Sequence, residues 1–537
     1  MDCRALLPHE LPHSTPLIRD FTENFPRLAH FYAHKPEMPA VEAYARQLQF
    51  PADRRGKVAA ILREQNASLG AGPETEKNLQ RLENGAVAIV SGQQVGLFGG
   101  PAYSFYKALT AIESARELSL SGVEAVPIFW MATEDHDVDE VRHTTWFHDG
   151  KLTHLTLPAP AEEGRPVGKV PLGSEIGPLL AEIKDSLAGP GGEEIFELLR
   201  SCCRPQDTYG SSFGKLFAKL FSPHGLILLD PLDPQLHRLA APILQSALEH
   251  RDALNEALLQ RDKELEKAGY APQVKVTSKS TLLFALHEGK REVISAANGK
   301  YSFGRGAAVR GDLIRKVAEH PEGFSPNALL RPVMQDFLLP TAAYYGGPAE
   351  IAYFAQSEVL YQKLLGRMPV LMPRADYTLV DPKAVRILEK YKLKVEDVWL
   401  GPQALRKKMY SAKVPKQLAR SFDGSLRQIE KSVESLHKAI REVDPTIQGT
   451  IARAEKRIHY QIEKLRSKTG QALDRHEKVI EQHAHFLENL LYPHKGLQSR
   501  DLCFLPFLLR LGSGGLGELQ KLACTKKPGQ HYIVGIP

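Results

Sequence analysis

The sequence predicts an α/β protein in which a parallel sheet opens at its strand ends into a site, with a long helical coiled coil in the C-terminal half. Three observations predict it. Ala86–Val90 (AVAIV) and Val126–Trp130 (VPIFW) are apolar runs of strand length that break into polar loops, as buried parallel strands do. Tyr103–Leu118 between them has a helical pattern, which gives a βαβ unit with both loops at one sheet edge. From Leu426 onward, apolar residues recur in alternating steps of three and four, the spacing of a coiled-coil seam.

Taken in order, residues up to about Gly85 read as helices broken by prolines, with an amphipathic stretch over Val41–Leu69. The first strand then runs into Ser91-Gly92-Gln93-Gln94-Val95-Gly96-Leu97-Phe98-Gly99-Gly100-Pro101 and a helix, and the second into Glu134-Asp135-His136-Asp137-Val138-Asp139-Glu140. Thr144–Val170 alternates like an antiparallel insert, and Leu179–Phe221 returns to helical periodicity. Gly225–Pro231 is another buried-strand signal, followed by one long helical segment, Pro234–Ala268. Gln273–Phe303 holds short alternating runs with turns at Glu288-Gly289-Lys290 and Asn298-Gly299-Lys300, which predicts a hairpin or meander. Gly346-Gly347-Pro348 repeats the device of Gly99-Gly100-Pro101 before another helix, since proline suits a first helical turn.

The seam consists of Leu426, Ile429, Val433, Leu436, Ile440 and Val443, then Ile447, Ile451, Ala454, Ile458, Ile462 and Leu465. Asp444-Pro445 is expected to end one helix and cap the next, as a kink or an antiparallel turn. These patterns divide the chain into five parts: 1–143, N-terminal helices and the first half of the core; 144–224, an insert; 225–380, the second half with its meander; 381–495, the coiled-coil domain; and 496–537, a segment packing on the core.

Composition bounds the function. The chain has 537 residues and is 43% hydrophobic, enough for a substantial core. No apolar run approaches the roughly 20 residues needed to span a bilayer, and Met1–Ser14 lacks the pattern of a signal peptide, so the expected compartment is the cytoplasm, with no membrane partner. Cys3, Cys202, Cys203, Cys503 and Cys524 are scattered, which indicates neither a disulfide framework nor a thiolate zinc site. A net charge of +6 is a mild bias toward acidic ligands and falls short of a nucleic-acid signature. Lys383, Arg386, Lys390, Lys392, Lys394, Arg406, Lys407, Lys408, Lys413, Lys416 and Arg420 make one region distinctly basic, either as a solvated face or as a contact for an anion.

The chemistry-bearing residues cluster at the loops. Glycines and a helix N-terminus in the first loop suit a phosphate or carboxylate; Gln93 and Gln94 offer amides, with Gly99, Gly100, Tyr103 and Lys107 close by. The loop has neither the P-loop nor the dinucleotide spacing. Glu134, Asp135, His136 and Asp137 suit a substrate amine with a proton carrier, or a divalent cation such as Mg²⁺. A solvated acidic turn is the plain alternative. A hydrolytic metal set built on His136, Asp137 and His143 lacks a second histidine motif, so no metal ligands are assigned. Arg331, Gln335 and Asp336 fall within two turns of one predicted helix, and Arg374 follows the apolar Val370–Met372, so the arginines can meet anionic groups.

SGQQVGLFGGPAYSFYK, PIFWMATEDHDVDEV, LLRPVMQDFLLPTAAYYGGPAEIAYFAQ, PVLMPRADYTL and YPHKGLQSR, in this order, resemble the cysteine-adding enzymes of bacillithiol biosynthesis, and the resemblance covers essentially the whole chain. It implies a Rossmann-like core related to class I aminoacyl-tRNA synthetases and other nucleotidyltransferases, with connecting-peptide insertions and a coiled coil that makes a homodimer. It also implies a ligase that joins cysteine to the amine of glucosaminyl malate. Neither HIGH nor KMSKS is present as such. A carboxylate is a poor electrophile, so amide formation calls for a phosphoanhydride, from ATP or another nucleotide. In this reading Asp135, His136 and Asp137 position the cysteine ammonium or deprotonate the amine. Arg331 and Arg374 hold malyl carboxylates or phosphates, and Gly346, Gly347 and Glu350 line the opposite wall. The alternative is a synthetase-like RNA-binding protein with a basic arm, against which stand the arm's few aromatics and its apolar seam.

Overall fold

The computed structural model describes residues 3–537 apart from 161–162, 189–190, 415, 444–447, 474–476, 513 and 524–528. In chain order its strands are Cys3–Leu6 (β1), Val87–Gln93 (β2), Ala125–Met131 (β3), the hairpin His143–His148 (β4) and Lys151–Thr156 (β5), and Ile227–Leu229 (β6). Then come Ser280–His287 (β7), Lys290–Ala297 (β8), Lys300–Phe303 (β9), Gly306–Val309 (β10) and Phe324–Pro326 (β11). Thr341–Gly346 (β12), Val370–Pro373 (β13), Asp376–Val380 (β14) and His531–Gly535 (β15) complete the set.

The central sheet is parallel, in the order β13-β12-β2-β3-β6. Its strands read as continuous apolar runs because both faces are covered. Ala88, Val90, Val126, Ile128 and Trp130 pack into one core with Leu62, Leu79 and Leu236. The alternate residues Val87, Ile89 and Ala125 face the opposite way, onto Ala111 and Ala115 of the helix Tyr103–Leu120. From β2 the chain proceeds to β3 and β6 on one side, whereas β12 and β13 add on the other. The strand order therefore reverses beside β2, where an open α/β sheet leaves a crevice at its carboxyl ends.

Gly92 shows why β2 can end there. It pairs with Trp130, and a Cβ at Gly92 would stand 2.6 Å from the Trp130 carbonyl oxygen and 2.9 Å from its Cβ. Gly92→Ala is expected to push β2 from β3 and to cost about 1–3 kcal/mol, measured as a lower midpoint in urea; an unchanged midpoint would show that the strands part freely.

The meander is an antiparallel sheet, β10-β9-β8-β7-β11. Its first two turns are two-residue loops with both residues left-handed, Glu288 and Gly289 at φ 50° and 78° and Asn298 and Gly299 at 50° and 74°, the type I′ geometry that suits the strand twist. Pro234–Ala268 is two helices, Pro234–Glu249 and Arg251–Lys267, instead of the single segment expected. The break falls at His250, whose ring Nδ1 lies 2.9 Å from the Ser246 carbonyl and whose own conformation is not helical. Val41–Leu69 likewise divides into Met38–Gln47 and Ala52–Ser68, because Pro51 is extended at the second N-terminus.

In the C-terminal half the helices Lys416–Val443 and Gln448–Leu473 pack antiparallel, with Arg466 2.9 Å from Asp423 and His459 3.8 Å from Glu430. The expected turn at Asp444-Pro445 and the seam residue Ile447 lie outside the described residues, as does Cys524. Much of the basic region meets partners within the chain. Arg406 reaches Glu481 and Glu488 at 2.7 and 2.6 Å, Lys383 reaches Asp149 at 3.0 Å, Lys408 pairs with Asp397, and Lys407 lies over the Tyr460 ring. The last strand, β15, runs between β1 and β14. Among the described residues no helix is long and apolar enough to cross a membrane.

Candidate active site

A cavity of about 640 Å³ occupies the crevice beside β2. Its floor is the carboxyl end of the parallel sheet, with Gln93, Lys107, Glu134 and Tyr344, and its roof is the meander, with Leu283, Phe284, Arg291 and Ile294. Of the residues singled out from sequence, Gln93, Gln94, Tyr103, Lys107, Glu134, Asp135, His136, Arg331, Gly347, Glu350 and Arg374 line it together.

Lys107 joins the two glycine loops. The helix Tyr103–Leu120 carries it under the sheet edge, where it is 2% exposed. Its ammonium donates to the Gly92 carbonyl at 2.6 Å and to Gln93 Oε1 at 2.8 Å, and lies 2.5 Å from Glu350 Oε2. Burial pulls its pKa down to about 8, with Glu350 opposing. Three protons meet three acceptors, so at neutral pH Lys107 is a saturated cation that holds the floor together. Glu350 also accepts from the Tyr344 hydroxyl and from the Gly347 N–H, at 2.5 and 2.7 Å. Burial alone would raise its carboxyl; Lys107 and these donors outweigh burial and hold it below the usual range.

The acidic loop is pinned from behind. Gly168 N–H donates to the Thr133 carbonyl at 2.9 Å and Val167 N–H to that of Asp135 at 2.6 Å. Asp135 accepts from its neighbour's N–H, His136, at 2.7 Å and from the Gln94 amide at 2.8 Å, and Arg291 lies 3.9 Å away. Burial would raise its carboxyl, but the contacts with His136, Gln94 and Arg291 hold it well below the usual range. Buried Glu134 stands 3.1 Å from Nε2 of His237, whose Nδ1 lies 3.1 Å from the Pro321 carbonyl. Both nitrogens of His237 thus face oxygens, which favours a second proton on the ring although the Glu134 contact falls outside hydrogen-bond geometry. Burial opposes that charge, and Glu134 raises the His237 pKa above its ordinary value nonetheless.

His136 is directed by a residue that sequence reasoning missed. Arg291, from β8, donates to the Ser325 hydroxyl at 2.9 Å and the Pro326 carbonyl at 2.8 Å, and its guanidinium lies 3.7 Å over the Phe284 ring. Its Nη1 is 3.2 Å from His136 Nδ1. The same Nδ1 lies 3.5 Å from Asp135 Oδ1; a guanidinium only donates and a carboxylate only accepts, so Arg291 favours the ring proton on Nε2 and Asp135 favours it on Nδ1. Sequence offered no local sign of this, because Arg291 reads as one charge of an exposed hairpin and the contact spans 155 residues.

The anion-binding side is built from two arginines, one with only neutral hydrogen-bond partners and one paired with Asp376 through a single nitrogen. Arg331 donates to Gln335 Oε1 at 3.0 Å and to the Tyr353 hydroxyl at 3.1 Å, both neutral, and among the described residues it makes no ion pair. Arg374 is buried; its Nη1 donates to Asp376 at 2.7 Å, while its Nε has no acceptor among the described residues. The helix Pro348–Leu364 begins beside it at Gly347, and the first-turn N–H groups of Ala349 and Glu350 have no intrahelical acceptor. Arg500, from the C-terminal segment, lines the mouth.

Other residues lie elsewhere. Gly99 and Gly100 form a buried left-handed turn, at φ 90° and 71°, where a Cβ on Gly99 would meet the Phe105 ring at 2.6 Å. The helix they precede is closed to ligands at its start, since Ala102 N–H donates to the Leu502 carbonyl at 2.9 Å and Pro101 bridges Cys503. Asp137 is exposed and caps the short helix Val138–Val141. Gln335 and Asp336 are fully buried, and Asp336 accepts from the Gln335 amide and the Tyr361 hydroxyl. Gly346 is spent on backbone, its carbonyl accepting from Arg374 N–H at 3.0 Å. Among the described residues no three His, Cys, Asp or Glu side chains are grouped to hold a metal ion.

Comparison with known proteins agrees over the full length. Residues 1–375 match the family described as bacillithiol biosynthesis BshC, N-terminal Rossmann-like domain, and residues 377–536 match the BshC C-terminal coiled-coil domain. A relative from Koribacter versatilis is 40% identical over 536 residues, covering 100% of this chain and 99% of its own. One from Solibacter usitatus is 39% identical, covering 95% and 96%, and one from Chlorobaculum tepidum is 34% identical, covering 91% of each. All three carry the name "Putative cysteine ligase BshC". With both domains matched in order and relatives aligned end to end, the chain belongs to the BshC family, a Rossmann-like domain followed by a coiled-coil domain.

Proposed function

We propose that this chain is a carbon–nitrogen ligase that joins cysteine to the amine of glucosaminyl malate, through an activated cysteine carboxyl group. The observation that carries the reading is Arg331, a cation facing the cavity with only neutral partners, beside the unmatched Nε of Arg374. A site so arranged is complete only with an anionic ligand. The names of the relatives and the family description supply the reaction class. Arg331 and Arg374 take the malyl carboxylates or phosphates. Ionised Asp135, with Glu134 beside it, attracts the cysteine ammonium. His136, held at Nδ1 between Arg291 and Asp135, lines the cavity where it can position the cysteine ammonium or take a proton from the incoming amine. ATP or another nucleotide with Mg²⁺ would supply the phosphoanhydride, and the first turn of Pro348–Leu364 with the two arginines suits its phosphates.

The test is to incubate the purified protein with cysteine and glucosaminyl malate, with and without ATP and Mg²⁺, and to seek bacillithiol by mass spectrometry. Product is expected; none under any condition refutes the reaction. Ion pairs of Lys383 and Arg406 within the chain reduce the charge left for the RNA-binding alternative, which filter binding with tRNA across salt concentrations tests.

The coiled-coil hairpin leaves Leu436, Ile458 and Leu465 exposed in the single chain, and the proposal includes a homodimer that covers them. Ile458→Asp with Ile462→Asp is expected to give a monomer by light scattering, and a persistent dimer would place the interface elsewhere.

A further inference from the structure

We infer that His531, on the last strand, is a positioning residue for Arg374: it holds Asp376, which in turn holds the guanidinium at the cavity. The inference rests on the reading above, taking a malyl carboxylate as the anion that Arg374 receives. It adds a residue behind the cavity wall, contributed by the strand β15.

β14 and β15 run parallel with Asp376 opposite His531. Nδ1 of His531 lies 3.2 Å from Asp376 Oδ2, and Nε2 lies 2.8 Å from the Thr378 hydroxyl. A ring with its proton on Nδ1 fits both contacts: Nδ1–H faces the carboxylate as an electrostatic contact outside hydrogen-bond geometry, and the hydroxyl donates to Nε2. The other carboxylate oxygen of Asp376 accepts from Nη1 of Arg374 at 2.7 Å, and the Ala375 carbonyl accepts from the same nitrogen at 3.0 Å. One side of the guanidinium is thereby fixed. Its Nε is left over, and a Cβ added to Gly347 would stand 3.6 Å from it, so it faces the turn that begins the helix Pro348–Leu364.

The surroundings keep this chain of groups in one arrangement. His531 is 1% exposed and the Trp399 ring packs edge-on against it, with centroids 6.1 Å apart. Burial would raise the Asp376 carboxyl, yet Arg374 and His531 outweigh it and hold it far below the usual range, so the carboxylate stays ionised. Without His531, Asp376 Oδ2 loses its partner and the carboxylate is free to rotate, taking the guanidinium with it.

Full-length His531→Leu, His531→Asn and Asp376→Asn proteins separate this role from simple packing. His531→Leu is expected to weaken L-malate binding in calorimetry, and to raise KM for glucosaminyl malate, by about tenfold, while His531→Asn, whose amide N–H replaces Nδ1–H, stays within about threefold of wild type. KM for cysteine is expected to stay unchanged in both. A folded His531→Leu protein with wild-type malate affinity and KM overturns the inference. If His531→Leu does not fold, Asp376→Asn gives the same readout with His531 in place, and unchanged malate affinity there overturns it equally. A wild-type protein that neither binds malate nor makes product removes the underlying reading together with this one. Wild-type binding and turnover with indifferent variants removes this one alone.

Discussion

Lys107→Met is expected to cost about 3–5 kcal/mol of stability, since it leaves a buried carboxylate without its cation, and to abolish turnover. Three acceptors lose their donor at once: the Gly92 carbonyl, Gln93 Oε1 and Glu350. Glu350 keeps Tyr344 and the Gly347 N–H, which is too little for a charge in that position. Chemical denaturation measures the loss. The pair can be tested again by removing both charges, because Lys107→Met with Glu350→Gln leaves no orphaned ion and should recover part of the stability. The pH dependence has a definite sign. Glu350 lies below its ordinary 4.5 in the folded chain, so its contribution is complete above that value and is lost as pH falls through the lowered one. Lys107→Met should flatten this acid limb; a limb of the same steepness in the variant would assign it to another carboxylate.

Arg331→Met is expected to act on the reaction more than on the fold. Its partners Gln335 and Tyr353 are neutral, so no buried charge is stranded in the empty site. An anionic substrate group would lose its cation, at a cost of about 2–4 kcal/mol, or roughly 30- to 1,000-fold in kcat/KM. Arg331→Lys keeps the charge and loses the planar fork, and so should fall between wild type and Met. Steady-state kinetics with both substrates decide the matter: a kcat/KM for glucosaminyl malate that survives Arg331→Met removes Arg331 from anion binding.

How far the sequence could be read depends on the range over which each feature is encoded. Apolar runs, turn dipeptides and heptad spacing are local, and Val126–Trp130 lies within β3, while Glu288-Gly289 and Asn298-Gly299 are type I′ turns. Gly346-Gly347-Pro348 opens on the cavity as Gly99-Gly100-Pro101 does not, although the two read alike. Their difference lies in a partner, since Leu502 and Cys503 close the first. Gln335 and Asp336 follow Arg331 on one short helix, yet both are fully buried and Arg331 reaches the cavity. Asp137 sits among site residues and serves as a cap. Arg291, His237 and His531 act by reaching a residue far along the chain, and no spacing rule records such a pairing.

The central position of β2 has a consequence for synthesis. Its neighbour β3 follows closely, whereas β12 ends the wait roughly 200 residues later. At ribosomal speed that interval is about 10–40 s. Throughout it, the nascent chain carries Val87–Val90 as an open, wholly apolar edge, a template for pairing with any other strand. Until β12 seals that edge and brings Glu350 to Lys107, the growing chain depends on chaperones or on dilution to stay clear of aggregation.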